Sequence, residues 1–330
     1  MDAPTVAQGR QADLNVACPL CKGGAYEVVS ERDRDGSPLT TVLCTSCGHV
    51  FTVPIPTTEQ LAAYYADKYR HDYKAVARPK PKHVLRAGRR ALERLDNLSP
   101  HAKASSRLLD IGAGGGEFVY LAGKAGYAAR GVEPNRGYAA HARKELDIDV
   151  TAATFQEVEF DPGSYDVITL HHVLEHLPDP AAALAQIRSW LTPSGTLMLE
   201  VPNVLSTYHS PSRRFHRAHL HTFNRLGLED LVRNAGFSIV SVSIVPHTSH
   251  IGVIARRAEV PSSATWRNAA AETRAALRAH TMLSRLLSGR ALQRFWSNVK
   301  RPIVEAAALM SVPDRSARAI LDKIWKGAAP

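Results

Sequence analysis

The chain has 330 residues, 45% apolar and 22% charged, the make-up of a globular protein with its own core. Its apolar stretches, such as "VITLHHVL" and "TLMLEV", are strand-length and none reaches a membrane span. The net charge of +10 is concentrated late, with 14 Lys/Arg against 5 Asp/Glu from Arg256 onward. Such a tail fits an anionic partner (nucleic acid, a membrane surface or a phosphorylated substrate) or a solvated helical surface.

The start, "MDAPTVAQGRQADLNV", lacks a basic head and a long apolar run, so a secretory leader is not expected and a cytoplasmic location is. Residues 1–12 read as a loose tail and residues 13–57 as a small ribbon. The ribbon holds all four cysteines, Cys18, Cys21, Cys44 and Cys47, as two C-x-x-C pairs 22 residues apart. Two such pairs present four thiolates for a tetrahedral zinc ion, and a closed four-cysteine site is structural. A disulfide pair is the alternative, and it needs an oxidising compartment. Gly48 suits a knuckle that requires positive φ, and His49 could compete as a ligand. "YEVVS" and "TTVLC" read as strands flanking a polar turn.

Residues 58–104 read as a helical linker, with one helix in "TTEQLAAYYADKYRHDY" and a basic amphipathic one in "VLRAGRRALERLDNL". From 105 to 257 strands and helices alternate. The strands are "RLLDI", "AARGVE", a weaker "DVTAAT", "YDVITLHHV" and "GTLMLEVP", then "FSIVSVSIV" and "HIGVIARR". Alternation of this kind predicts an α/β fold: a seven-stranded, mostly parallel, Rossmann-like sheet covered by helices, with an antiparallel hairpin at its edge. Residues 258–330 read as a basic helical extension, its last long helix interrupted by Pro302.

"LLDIGAGGGEF" holds a nucleotide-type loop. Gly112 and Gly114 match the dinucleotide fingerprint, but Glu117 replaces its third glycine, and a carboxylate there disfavours pyrophosphate. The pattern is instead D-x-G-x-G-x-G: Asp110, Gly112, Gly114 and Gly116. With "GVEP" (Glu133, Pro134), "ATFQEV" (Thr154, Phe155) and "YDVITLHHVLEHLPDP", the chain resembles the class I methyltransferases that use S-adenosylmethionine. The resemblance covers about residues 107 to 256 and implies that cofactor. It also implies that Asp110, the three glycines, Glu133, Pro134, Thr154, Phe155 and His171 hold it.

His171 and His172 sit at the carboxyl rim of the fourth strand, and His176 follows on a turn where it could equally act as a brace. After the fifth strand come His209, His216, His219 and His221, with Arg213, Arg214 and Arg217. Histidine suits acid–base work near neutral pH. A metal is the other reading, although no H-E-x-x-H spacing is present. The arginines either hold a substrate phosphate or form a solvated basic loop. A ribbon of paired cysteines joined to such a domain is similar to the deoxysugar C-methyltransferases. Aligning their Y-H-E-H-F-type run on "HRAHLHTF" implies His219 as the general base, with His216, His172 and His176 as further candidates. The expected activity is methyl transfer to a sugar, glycan or similar hydroxylated small molecule, phosphorylated or not. Peripheral membrane contact through the basic helices is a further expectation. The alternatives are RNA methylation, against which the absence of aromatic–basic interleaving argues, and a non-catalytic binding partner.

Overall fold

The computed structural model describes residues 16–57, 60, 79–208, 210–245, 248–287, 289–312 and 314–328. The expected tail at 1–12, most of the helix in "TTEQLAAYYADKYRHDY" and His209 lie outside the described residues. In chain order come β1 (Tyr26–Arg32), β2 (Pro38–Cys44), β3 (Val50–Val53), α1 (Pro81–Leu98), β4 (Arg107–Ile111) and α2 (Glu117–Lys124). Then come β5 (Ala128–Val132), α3 (Arg136–His141), β6 (Val150–Thr151), β7 (Tyr165–His171), α4 (Pro180–Trp190) and β8 (Leu191–Val201). The rest are β9 (His221–Thr222), α5 (Arg225–Asn234), β10 (Phe237–Ile244), β11 (Ile251–Arg257), α6 (Ala270–Ala279), α7 (Met282–Leu287), α8 (Arg290–Met310) and α9 (Ala317–Ala328).

The main sheet has seven strands in the order β10-β11-β8-β7-β4-β5-β6. β4 pairs in parallel with β5 and β7, β5 in parallel with β6, and β10 antiparallel to β11. This is the expected Rossmann-like arrangement with an antiparallel pair at one edge. Leu108, Leu109, Val167, Ile168 and Leu170 are fully buried, as strands covered on both faces require. Two boundaries differ from the sequence reading. β6 is only two residues long, because Thr154 turns the chain into a short 3-10 segment by capping it together with Glu157. β8 begins at Leu191 rather than Gly195, and α4 stops one residue short of it.

The described residues cluster into two units. One takes in the ribbon with 171–188 and 199–293, and the other takes in α1 to Leu170 with 189–198 and α8 onward. In the first, β1, β2 and β3 form an antiparallel meander to which β9 adds a fourth strand, with Phe51 opposite His221. α6 closes on this sheet. Arg274 forms a two-pronged ion pair with Glu27, one of its bonds measuring 2.8 Å. Gly48 has φ +79, as the knuckle requires, and its amide donates to the Cys44 carbonyl at 2.8 Å. A Cβ on Gly48 would lie 2.5 Å from the carbonyl carbon of Ala269, so only glycine lets the start of α6 approach.

In the second unit α9 packs on α1 and α2. Leu321 and Ile324 fill the notch over Gly88, and Asp322 accepts from the Tyr120 hydroxyl at 2.6 Å. Arg86 of α1 grips Glu305 of α8 with both nitrogens, one at 2.6 Å. The basic extension is thus divided between the units. α8 runs continuously through Pro302, where the sequence reading had it interrupted. Residues 296–300, one turn earlier, are exposed, so water can meet the carbonyl that Pro302 leaves without a donor. Among the described residues no helix is long and apolar enough to cross a membrane.

Candidate functional site

The four cysteines converge, with all sulfurs within 4.8 Å of one another. Cys18 Sγ and Cys47 Sγ are 3.8 Å apart, Cys21 Sγ and Cys44 Sγ 3.6 Å. Tetrahedral zinc with bonds of about 2.3 Å separates its sulfurs by about 3.8 Å, so the cluster fits a structural zinc ion. His49 is not a competing ligand. It is buried among Phe51 and Phe223, with its Nε2 3.0 Å from His221 Nδ1.

In the second unit the glycine loop follows β4. Gly112, Gly114 and Gly116 have φ of 78°, 56° and 85°, so all three use the left-handed conformation. Gly116 stands before α2 with no room for a side chain, because a Cβ would meet Ile148 at 2.6 Å. At Gly114 nothing lies within 4 Å of that position, so the backbone faces open space. Asp110 is buried and accepts from the Thr169 hydroxyl at 2.6 Å. The Glu133 carboxylate is buried too, accepting the Gly114 and Asn135 amides at 2.8 Å each, one per oxygen. Each oxygen keeps a lone pair, so the pair can still receive two ribose hydroxyls. Burial pushes the Glu133 carboxyl up. It pushes Glu117 up to about 7, aided by the charges of Glu133 and Asp110. Three carboxylates beside a bare backbone fit the ammonium and sulfonium of S-adenosylmethionine and oppose a pyrophosphate. Pro134 is exposed, the Thr154 hydroxyl is 2.9 Å from Glu157 Oε2, and the Phe155 ring packs on Trp190 at 5.6 Å.

In the first unit the histidines gather. His171, buried, ends β7, and His172 follows with φ +61, a costly conformation for a residue with a side chain. His172 Nε2 is 3.1 Å from Glu200 Oε1 and its Nδ1 is 3.5 Å from Glu175 Oε1. His250 Nδ1 reaches the same Glu200 oxygen at 3.1 Å. His176 Nδ1 donates to the Ala218 carbonyl at 2.6 Å, which turns Nε2 toward Glu175, 3.9 Å away. The rings of His176 and His219 are 4.9 Å apart, and those of His216 and His219 5.2 Å. Ligating atoms of Glu175, His176 and His219 all lie within 4.8 Å.

The electrostatics follow from burial and these neighbours. Glu175 is fully buried, and among the described residues neither oxygen has a hydrogen-bond partner. Burial would raise its carboxyl, but the imidazoles of His172, His176 and His219 outweigh that and hold it at about 2. Burial likewise lowers His172, yet Glu175 and Glu200 carry it to about 9. His219 is pushed down to about 3 by burial, against the pull of Glu175, and is neutral at pH 7.

The structure thus groups His172, His176, His216 and His219 and separates off His221. That residue is fully buried in β9, held by His49 and by the Leu177 carbonyl at 3.0 Å. Arg217 and Arg214 are engaged in structure. Arg217 bonds the Pro38 carbonyl at 2.6 Å, and its amide bonds Asp33; Arg214 bonds His280. Of the two readings of the arginines, the phosphate fork is opposed at Arg214 and Arg217, whose guanidinium groups are taken up by protein partners. Glu175, Glu200 and His250 were not among the candidate site residues. A glutamate inside the apolar run "LMLEV" is a signal that could have found Glu200, whereas nothing in "HTSHIGV" marks His250.

The sequence model of a methyltransferase domain matches residues 83–242. A ubiquinone biosynthesis O-methyltransferase of Nitrosococcus oceani is 35% identical over 117 residues, 33% of this chain and 50% of that protein. Its counterpart in Xanthomonas campestris is 30% identical over 131 residues, 38% of this chain and 53% of the relative. The chain spans about half the length of these curated relatives. Among solved structures, a 1,6-didemethyltoxoflavin-N1-methyltransferase of Burkholderia thailandensis is similar at 19% identity and a TM-score of 0.47, covering 64% of this chain and 96% of its own. An S-adenosylmethionine dependent methyltransferase of Mesorhizobium loti is similar at 16% identity and a TM-score of 0.43, covering 49% and 96%. The sheet order, the carboxylate-walled glycine loop and the match over residues 83–242 together identify a class I, S-adenosylmethionine-dependent methyltransferase domain.

Proposed function

We propose that the chain moves a methyl group from S-adenosylmethionine to a hydroxyl of a small metabolite, with a sugar or glycan as the acceptor class. The observation that carries the reading is the buried Glu175 carboxylate with the ring nitrogens of His176 and His219 gathered within 4.8 Å of it, in a chain that also holds the glycine loop. The sugar class rests on the ribbon and on the histidine run of residues 216–221. The names of the curated relatives favour an oxygen acceptor, and as a second reading an intermediate of ubiquinone biosynthesis.

Asp110, Gly112, Gly114, Gly116 and Glu133 are the cofactor residues in this proposal, with Pro134, Thr154, Phe155 and His171 around them. When bound, S-adenosylmethionine supplies a methyl already activated by its positive sulfur. With the cofactor bound, His219 would take the proton of the acceptor hydroxyl as the methyl passes from sulfur to oxygen and S-adenosylhomocysteine leaves, with Glu175 facing the imidazolium so formed. His176, tied to the Ala218 carbonyl, fixes the ring beside His219. His172 and His216 complete the polar wall.

The test is turnover by the full chain, read as S-adenosylhomocysteine release, over nucleotide sugars, glycans and ubiquinone precursors. The expected result is turnover on one hydroxylated class. Turnover on none of them, with tight cofactor binding, would overturn the reading.

A further inference from the structure

We propose that His172, Glu200 and His250 form a second metal site, one that takes a borderline divalent cation such as zinc. The three side chains come from the end of β7, the end of β8 and the segment that leads into β11. Their donors meet at one point: His172 Nε2 and His250 Nδ1 each lie 3.1 Å from Glu200 Oε1. A cation with bonds of about 2.1 Å to nitrogen and oxygen holds neighbouring ligands about 3.0–3.4 Å apart, at octahedral or tetrahedral angles. Both histidine–glutamate pairs already stand at that spacing, and the two imidazole nitrogens are within 4.8 Å of each other. Two imidazoles and one carboxylate are also the donor set that suits zinc and related divalent ions, and it leaves positions open for a further ligand.

The surroundings match those of a metal-binding histidine. The other nitrogen of His172, Nδ1, faces the buried Glu175 carboxylate at 3.5 Å. Across that distance the carboxylate acts on the imidazole through its charge, which favours a cation on the far side of the ring. Glu200 is buried and both imidazoles converge on one of its oxygens. The two rings cross edge to face with centroids 4.5 Å apart, and the ligating atoms of all three residues lie within 4.8 Å of one another. The neighbouring set of Glu175, His176 and His219 is looser, with 3.9 Å between its closest measured pair, and one nitrogen of His176 is committed to the Ala218 carbonyl. The site of His172, Glu200 and His250 is separate from the four-cysteine cluster, so the chain would carry two metals of different ligand type.

The experiment is metal content of the full-length protein after zinc loading and gel filtration, read by mass spectrometry against protein concentration. The expected value is two zinc ions per chain for the wild type, and one for His250→Ala and for Glu200→Gln. His176→Ala should retain both. Cobalt(II) substitution gives an independent readout: the thiolate site produces intense sulfur-to-cobalt bands, and the second equivalent adds weaker bands that His250→Ala removes. One metal in the wild type overturns the proposal. A second metal that persists in both His250→Ala and Glu200→Gln, or is lost only in His176→Ala, does so as well. If His250→Ala does not fold, by circular dichroism, the milder Glu200→Gln decides. None of these readings depends on turnover, so they stand or fall apart from the methyl-transfer proposal.

Discussion

His49 and His221, 172 residues apart in the chain, share a buried hydrogen bond of 3.0 Å. Nε2 of His221 faces the Leu177 carbonyl and must donate to it, so in the neutral ring Nδ1 accepts from His49. This fixes both tautomers and stitches β9 to the zinc ribbon. His221→Ala leaves the His49 donor and the Leu177 carbonyl without partners and opens a cavity. A loss of about 2–4 kcal/mol is expected from the unfolding midpoint in denaturant, with zinc content unchanged. A stability equal to the wild type would show that the pair is dispensable.

Glu117 gives the protein a pH-dependent stability. Burial, reinforced by Glu133 and Asp110, raises its carboxyl from 4.5 to about 7 in the folded chain. A group raised on folding contributes stability that is fully present below its unfolded value and is lost as pH rises through the folded one. The contribution is therefore complete below pH 4.5 and gone above about pH 7. Its size is at most about 3 kcal/mol. Glu117→Gln should remove this dependence, so that the variant gains on the cofactor-free wild type between pH 5 and pH 8. Parallel stability curves for the two proteins over that range would contradict the assignment.

Gly48→Ala tests the seat of α6 on the knuckle. The methyl would meet Ala269 and Ala270 backbone at 2.5 and 2.6 Å, at a residue whose φ is +79°. Strain and collision together are expected to cost about 2 kcal/mol or more in thermal unfolding. Removal of zinc with a chelator, or Cys18→Ser, should unfold the ribbon outright and abolish the contribution of that residue. A Gly48→Ala protein as stable as the wild type would mean that α6 does not hold to the knuckle in solution.

The loop from Asp110 to Gly116, Glu133 and the strand–helix alternation were legible in the sequence because each is a local pattern with a local cause. So was the cysteine spacing. What the sequence did not reveal depends on distant pairing. β9 is two residues long and exists because Phe51 and Val50 offer it an edge. Without that partner His221 reads as one more reactive histidine in the loop, whereas it is part of the ribbon core. Arg214 and Arg217 read as either a phosphate fork or a solvated loop for the same reason: their partners His280, Pro38 and Asp33 lie 66, 179 and 184 residues away. Glu200 lies in the apolar run "LMLEV", and only the fold brings His172 and His250 beside it.

His219 separates chemistry from binding. His219→Ala should lower kcat by about 100- to 10,000-fold, the range for loss of a general base, while calorimetric affinity for S-adenosylmethionine stays within about twofold. Glu175→Gln should follow in the same direction, since the imidazolium loses its counter-charge. Loss of cofactor affinity equal to the loss of rate would mark His219 as structural.

In the proposed function the loop between β4 and α2 holds S-adenosylmethionine, with Glu133 as its main polar anchor. Titration of the full chain with S-adenosylmethionine in a calorimeter tests it most directly. A single site per chain is expected, with about 10- to 100-fold weaker binding in Glu133→Ala and the fold intact, as for loss of charged hydrogen bonds. Absence of binding by the wild type, or equal affinity in Glu133→Ala, would contradict it.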